Sequence, residues 1–577
     1  MTDGPDNVLV AYFSMEIGLD PSMPTYAGGL GVLAGDTIRS AADLKIPMVA
    51  VTLLHRRGYF HQRLDEQGWQ REEPVAWPIN DFCKPVPQRV TVDIENCTVH
   101  VAAWQFRVRG ESGGEVPVYL LDTNLPENQP WDRTLTDLLY GGDEYYRLCQ
   151  ELVLGFGGHR LLQALGYKHI RRFHMNEGHA ALLVLALLEE KLASRVQEAS
   201  IPADLIDAVR EQCVFTTHTP VPAGHDQFPP DLAHRVLGDR RCAWLKACGH
   251  DQSLNMTELA LHGSRFVNGV AMRHGEVSHN LFPGYPIHSI TNGVHAVTWA
   301  APSFQTLYDR YLPDWRRDQL SLRYAISVPS DAIWNAHQEA KRLLVEHVNH
   351  ETNAGFDRDV LTLGFARRAA AYKRGTLIFH DIERLAAIVQ RVGPLQIIFS
   401  GKAHPHDQDG KNLIHRIHEL RDALRGKVRV AYLTNYDMTL AKLLCAGVDV
   451  WLNTPLPPME ASGTSGMKAA VNGVPSLSVL DGWWIEGHVE DVTGWSIGDR
   501  VEACMELSGG MDACHAAALY DKLEQKVLPC FYKERERFIE IMRQAIALNG
   551  GFFNTQRMMA QYLHNAYRLV GEYVRRG

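Results

Sequence analysis

Short apolar runs rich in β-branched residues alternate with longer amphipathic stretches along almost the whole chain. This alternation constrains the fold more than any other feature. The N-terminal part holds "VLVAYFS" (Val8–Ser14), "PMVAVTLL" (Pro47–Leu54) and "QCVFTTH" (Gln212–His218). The C-terminal part holds "LTLGFA" (Leu361–Ala366), "LQIIFSG" (Leu395–Gly401), "VRVAYL" (Val428–Leu433), "VDVWLN" (Val448–Asn453) and "PSLSVLD" (Pro475–Asp481). Strands buried on both faces read as continuous apolar runs and need crossover helices to cover them. The pattern therefore predicts an α/β protein with parallel sheets. "RRFHMNEGHAALLVLALLEEKL" (Arg171–Leu192) reads as strand, polar turn and helix, and "RMMAQYLHNAYRLVGEYVRR" (Arg557–Arg576) as a terminal helix.

A chain of 577 residues exceeds one ordinary core. Two α/β halves are expected, with a boundary near the turn-rich "SITNGVHAVTWAAPSF" (Ser289–Phe304), which follows the proline-punctuated "LFPGYPIH". The division expected is residues 1–292, residues 293–555, and a terminal helix over 556–577 packing back on the first half. A composition of 45% apolar and 22% charged residues fits a globular protein, and a net charge of -9 gives no basic footprint for nucleic acid. No apolar run reaches the ~20 residues that span a membrane. The start, "MTDGPDNVLVAYFSME", is acidic and enters a strand directly, unlike a signal peptide, so a cytoplasmic location is expected. The ten cysteines never occur as CxxC and read as reduced, buried thiols rather than a disulfide framework or a zinc site.

Open parallel sheets bind ligands beyond the carboxyl ends of their strands. In the C-terminal half those ends carry Arg367, Arg368, Tyr372, Lys373 and Arg374, then Gly401 and Lys402, then Asn435, Tyr436 and Asp437, then Asn453, and finally Asp481 with Trp483 and Trp484. Between Asn453 and Lys468 lies "MEASGTSGMK", a Gly/Ser/Thr turn that opens a helix. Such a turn presents free N–H groups to an anion, with Lys468 about one turn further on. This gathering of cations, amides and glycines points to a phosphate-type ligand. In the N-terminal half, "YAGGLGVLAGD" (Tyr26–Asp36) is a second glycine-rich turn, while "MNEGHA" places Glu177, and "CVFTTHT" places His218, at strand ends. His404, His406 and Asp407 have ligand-like side chains, but Pro405 and the surrounding Gly and Asp residues read as a loop, and no metal site is expected.

Taken together, "EASGTSGMKAAVNG", "FARRAAAYKR", "YAGGLG", "FTTHT", "VNGVAMRHGEV", "ITNGVH" and "VLDGWWIEG" resemble the α-glucan phosphorylases, of the short bacterial and archaeal branch. The motifs follow family order from about Met15 to Trp495. The resemblance implies two Rossmann-like domains facing a deep cleft (the GT-B arrangement), with glucan and phosphate handled by the first and pyridoxal 5'-phosphate by the second. The implied reaction is phosphorolysis of terminal α-1,4-glucosyl units of glycogen or maltodextrin by orthophosphate, giving α-D-glucose 1-phosphate with retention. A homodimer would be usual for relatives.

Residue by residue, the resemblance makes Lys468 the Schiff-base lysine and puts Thr464 and Ser465 in the turn that holds the cofactor phosphate. Arg367 is their cationic partner, at a position where the family commonly has lysine. Tyr436 and Gly28 would lie near the cofactor ring. Arg368, Lys373 and the Gly29 amide would bind the substrate phosphate. Glu460, the Gly463 amide, His218 and Asn292 would bind sugar hydroxyls, while Glu177 and Trp299 would line the cleft. Lys468, Arg368, Lys373 and His218 form the implied catalytic set. "YFSME" comes at residue 12, so no activation by phosphorylation or AMP is expected. Competing readings are a nucleotide-sugar glucan synthase, which needs no Schiff-base lysine, a catalytically inactive glucan-binding homologue, and a pyridoxal aminotransferase.

Overall fold

A computed structural model describes residues 7–95, 97–193, 202–221, 224–247, 253–498 and 510–569. The first strands are β1 (Val10–Ser14), β2 (Met48–Leu53), β3 (His61–Leu64), β4 (Gln70–Glu73), β5 (Lys84–Ile94), β6 (Cys97–Arg109), β7 (Glu115–Asp122), β8 (Arg172–Asn176) and β9 (Cys213–Thr216). Then come β10 (Gln227–Phe228), β11 (Leu254–Asn255), β12 (Phe266–Gly269), β13 (Ile287–Ser289), β14 (Leu361–Ala366), β15 (Leu395–Ser400), β16 (Arg429–Leu433), β17 (Val450–Asn453), β18 (Ser476–Val479) and β19 (Gly494–Ile497). The protein is α/β, and its described residues form a nine-stranded mixed sheet, a six-stranded parallel sheet and two two-stranded antiparallel ones. The chain divides into two compact units: Met1–Phe60, Pro74–Ile290 and Met558–Gly577 in the first, His61–Glu73 and Thr291–Arg557 in the second.

In the first unit the sheet order is β13-β12-β9-β8-β1-β2-β7-β6-β5. The run from β13 to β7 is parallel, and β6 and β5 extend it antiparallel. Alternate side chains of one strand enter different cores: Ala11 and Phe13 one, Val10 and Tyr12 the other. Burial on both faces is why these strands read as unbroken apolar runs. Met558, Met559, Tyr562, Ala566 and Tyr567, from the end of the chain, fill the core of Val10 and Tyr12. The Tyr562 hydroxyl lies 3.0 Å from Thr216 Oγ1, and that of Tyr567 lies 2.8 Å from His174 Nδ1. Residues 570–576 of the expected terminal helix lie outside the described residues.

The sheet of the second unit runs β16-β15-β14-β17-β18-β19 and is parallel throughout. The chain order moves outward from β14 through β15 to β16, returns to the middle, and moves outward again from β17. The first sheet reverses in the same way between β1 and β8. Ligands of open α/β sheets bind in the crevice at such a reversal, beyond the strands' carboxyl ends.

The hairpin β3–β4 belongs to the second unit although its sequence neighbours belong to the first. Its glutamines clasp the loop after β15. Gln62 Nε2 donates to the Gly401 carbonyl at 2.8 Å, Gln70 Nε2 donates to the Ala403 carbonyl at 2.9 Å, and Ala403 N–H donates back to Gln70 Oε1 at 2.9 Å. Trp69 stacks on His415 with centroids 4.0 Å apart.

Among the described residues seven cysteines are free thiols, of which Cys97 is exposed and Cys242 half-buried. Cys514 departs from the expected set of reduced thiols, being disulfide-bonded, a pairing that no CxxC spacing announces. No helix among the described residues is long and apolar enough to cross a membrane.

Beneath the second sheet, Asp449 accepts from Lys341 Nζ at 2.5 Å, His337 Nε2 at 2.9 Å and the Thr362 amide at 2.7 Å. The side chains of Asp449, Lys341 and His337 are fully buried. Burial opposes the Asp449 charge, but Lys341 and His337 outweigh it and hold the carboxyl below its ordinary range. Removing one partner of such a pair leaves an uncompensated buried charge. Lys341→Met is therefore expected to lower the unfolding free energy by about 3 kcal/mol or more at pH 7, read by urea titration. Because the folded pKa of Asp449 is depressed, its contribution is full above about pH 4 and is lost as pH falls through the folded value. That acid-side loss should be absent from Asp449→Asn.

Candidate functional site

The reversal point of the second sheet is where charge collects. Arg367 leaves β14, and Asn453 ends β17, the neighbouring strand. Arg367 Nη1 donates to Asn453 Oδ1 in a short contact, and Nη2 donates to Glu460 Oε2 at 2.7 Å. Lys373 Nζ donates to both Glu460 oxygens, at 2.8 and 2.7 Å. The three charged side chains are 9% exposed or less. Burial opposes ionisation of Glu460, but Arg367 and Lys373 prevail and hold its carboxyl down at about 2. Arg368, the next residue, is exposed.

Asp481, just beyond β18, supports this arrangement from behind. Its Oδ2 accepts the Glu460 N–H at 2.9 Å and its Oδ1 accepts the Gly482 N–H at 2.9 Å. Burial, reinforced by the Glu460 charge, pushes Asp481 up to about 7 against those two amides. Both oxygens are engaged by backbone, so Asp481 fixes the Glu460 loop. Gly482 is required there: at φ +55, a Cβ would sit 2.4 Å from the Ser462 carbonyl oxygen.

The helix Thr464–Val471 opens at Gly463, whose φ is +83, and no side chain caps it. Its first-turn amides are therefore open to an anion. Ser465 Oγ accepts from Trp451 Nε1 at 3.1 Å. Lys468 is buried at 6% exposure, with Nζ 3.9 Å from the Trp299 ring centroid. Asn472 ties the two together, donating from Nδ2 to the carbonyls of Trp299 at 2.9 Å and Lys468 at 3.0 Å. Asn292 is buried, and its Oδ1 has no partner among the described residues. Tyr436 packs at the edge of the core formed by Leu433, Leu444 and Trp451, beside Asn435, which is pinned to Gln62 by two hydrogen bonds.

The first unit holds a second polar group at its own reversal point. Glu177 follows β8 with φ +75, an unusual conformation for a non-glycine residue and one found often at functional sites. Its Oε2 accepts the His218 N–H at 2.7 Å and the Thr219 hydroxyl at 3.0 Å, and its Oε1 accepts the Gly178 N–H at 3.0 Å. Ser14 Oγ donates to the Glu16 carbonyl, Asn176 Nδ2 donates to Ser14 Oγ, and His218 Nε2 lies 2.8 Å from Asn176 Oδ1. Burial pushes His218 down to about 4, so the ring is neutral at pH 7. The chain of donors puts its proton on Nε2 and leaves Nδ1 as an acceptor.

The glycines at the start of the helix Gly29–Asp43 fall into two kinds. A Cβ on Gly31 or Gly35 would meet neighbours at 2.6 or 2.1 Å, whereas one on Gly28 or Gly29 would have nothing within 4 Å. Gly31 and Gly35 serve packing, while Gly28 and Gly29 face open space. Elsewhere in this unit, ligand-type atoms of Glu151, His179 and Asp226 lie within 4.8 Å of one another. Arg147 already donates to Asp226 there, so a cation stands against that carboxylate.

Of the residues expected from sequence, the structure gathers Arg367, Lys373, Glu460 and Gly463 around one carboxylate, Lys468 with Trp299, and Glu177 with His218. Asn453 and Asp481 were expected at the strand ends but without individual roles, and Glu16 was not singled out from sequence. Glu16 also stands just past a strand end, the signal that could have marked it.

Residues 226–527 match the family model for carbohydrate phosphorylase. The maltodextrin phosphorylase of Thermococcus litoralis is 40% identical over 97% of this chain and 70% of its own. The glycogen phosphorylase of Mycobacterium tuberculosis is 37% identical over 98% and 71%, and that of Aquifex aeolicus 35% identical over 97% and 86%. With these matches spanning nearly all of the sequence, the chain belongs to the carbohydrate phosphorylase family.

Proposed function

We propose that this protein cleaves terminal α-1,4-glucosyl units of glycogen or maltodextrin with orthophosphate, releasing α-D-glucose 1-phosphate with retention. The observation that carries the reading is the buried Arg367–Glu460–Lys373 cluster at the reversal of the second sheet, next in sequence to a helix whose amides are uncapped. In this reading the two units are the Rossmann-like halves of a GT-B glycosyltransferase fold. The first supplies glucan and phosphate contacts, and the second holds pyridoxal 5'-phosphate.

The residues present fit that cofactor. Lys468 is buried against an indole, Thr464 and Ser465 lie in the uncapped first turn, and Arg367 Nε and Ser462 Oγ are buried without partners among the described residues. Lys468 would anchor the aldehyde, with Thr464, Ser465 and Arg367 on the cofactor phosphate and Tyr436 and Gly28 near the ring. When bound, the cofactor would supply a phosphate whose second pKa of about 6 allows proton exchange near neutral pH.

The chain's own residues then do the following. Arg368, Lys373 and the Gly29 amide bind orthophosphate, neutralising charge that an apolar pocket could not hold. Phosphate and Glu460 compete for Lys373. As phosphate takes the ammonium, Glu460 becomes an acceptor for glucosyl hydroxyls, together with the Gly463 amide as donor. Neutral His218 accepts a hydrogen bond from a sugar hydroxyl at Nδ1, and Asn292 Oδ1 accepts another. Glu177 holds His218 by its backbone amide.

Release of glucose 1-phosphate from maltodextrin should depend strictly on orthophosphate. Release of free glucose without it would favour hydrolysis and sink the reading. Lys468→Ala is expected to lose the visible cofactor absorbance and nearly all activity while keeping its thermal transition; normal turnover would overturn the cofactor assignment. Arg368→Ala should raise the KM for orthophosphate by roughly ten- to a hundredfold, as for loss of a charge-assisted contact, with little change in the KM for glucan. Equal losses in both would make Arg368 a structural residue.

A further inference from the structure

Glu16 lies just past β1, at the reversal point of the first sheet. It is 3% exposed. Burial pushes its carboxyl up; the amides of Ala27 and Gly28, the Tyr140 hydroxyl and the charge of His179 oppose that, and among the described residues no lysine or arginine forms an ion pair with it. A buried carboxylate without a strong cation must be stabilised by its hydrogen bonds. Here those bonds are to the glycine-rich loop. Glu16 Oε2 accepts the Ala27 N–H at 2.6 Å and the Gly28 N–H at 3.3 Å, and Oε1 accepts the Tyr140 hydroxyl at 3.0 Å. The same carboxylate lies where Gly31 has no side chain, since a Cβ there would be 2.6 Å from Oε2. Two backbone bonds close the loop beside it: Ile17 N–H to the Thr25 carbonyl at 3.0 Å and Gly18 N–H to the Gly31 carbonyl at 2.7 Å.

We infer that Glu16 is a positioning residue for orthophosphate, fixing the Ala27 and Gly28 peptide units so that the uncapped first turn of the helix Gly29–Asp43 is held in a binding geometry. This deepens the phosphorylase reading and rests on it. The carboxylate acts through the loop and does not touch the anion. Its acceptors are turned to the N–H groups of Ala27 and Gly28, while the helix start is uncapped and Gly28 and Gly29 have open space beside them. A loop with three glycines in four positions samples many conformations. Tying two consecutive amides to one buried acceptor removes that freedom before the anion arrives.

The test uses the full chain with two readouts. Amide hydrogen exchange over residues 26–31 is followed with and without orthophosphate in the wild type, Glu16→Gln and Glu16→Ala. The KM values for orthophosphate and maltodextrin are measured in the same three proteins. Orthophosphate should slow exchange of this segment in the wild type, and Glu16→Ala should speed its basal exchange. Glu16→Ala should also raise the KM for orthophosphate about tenfold, with the KM for maltodextrin changed less than about twofold. Glu16→Gln, which keeps one acceptor for the two amides, should recover most of the difference. If orthophosphate does not protect 26–31 in the wild type, the phosphate role of the loop falls, and with it the reading beneath it. If the wild type is protected but Glu16→Ala has unchanged exchange and an unchanged KM for orthophosphate, the role of Glu16 alone falls. An equal rise in both KM values also overturns it, by making Glu16 a general folding residue.

Discussion

Two cations held on one buried carboxylate organise the second unit. Arg367 and Lys373 are close enough to repel each other, and Glu460 makes their proximity tenable. Glu460 is itself fixed through its backbone by Asp481, and the sharp turn after Asp481 exists because Gly482 can take a positive φ. The strand-order reversal brings together β14 and β17, which carry Arg367 and Asn453 to adjacent positions. The cluster is thus a product of topology as much as of side-chain chemistry.

The first unit solves a related problem mainly with backbone amides rather than with lysine or arginine. At its reversal point two carboxylates, Glu16 and Glu177, leave neighbouring strands, and each is satisfied mainly by backbone N–H groups. Each thereby fixes a loop: Glu16 the glycine-rich turn, Glu177 the segment carrying His218 and Thr219. One sheet presents fixed amides and a neutral imidazole, the other fixed charges and a buried lysine.

The strands were legible because burial on both faces leaves no polar alternation to obscure them, as in "VLVAYFS" and "LQIIFSG". The gathering of cations and amides at strand ends was legible for the same topological reason. What the residues do to one another was not. Lys373 and Glu460 are 87 positions apart, and only the closed sheet shows that they pair. The hairpin His61–Glu73 was also hidden. Its docking rests on Gln62, Gln70 and Trp69 meeting the Gly401–Ala403 loop and His415, and short polar strands carry no local sign of their destination. Asp481 and Glu16 stood at visible strand ends, but their burial and their backbone partners depend on the assembled sheet.

The division of the chain bears on how such a protein can be made. The first unit is built from three separate segments, the last beginning at Met558, and the second from two. Met558, Met559, Tyr562, Ala566 and Tyr567 fill a core that β1 and β2 have already helped to line. During vectorial synthesis, β1 and β2 leave the ribosome long before the segment that begins at Met558, so one face of their sheet lacks part of its cover until that segment follows. Until then the apolar strands of the first unit are exposed on the face that this segment covers in the folded structure.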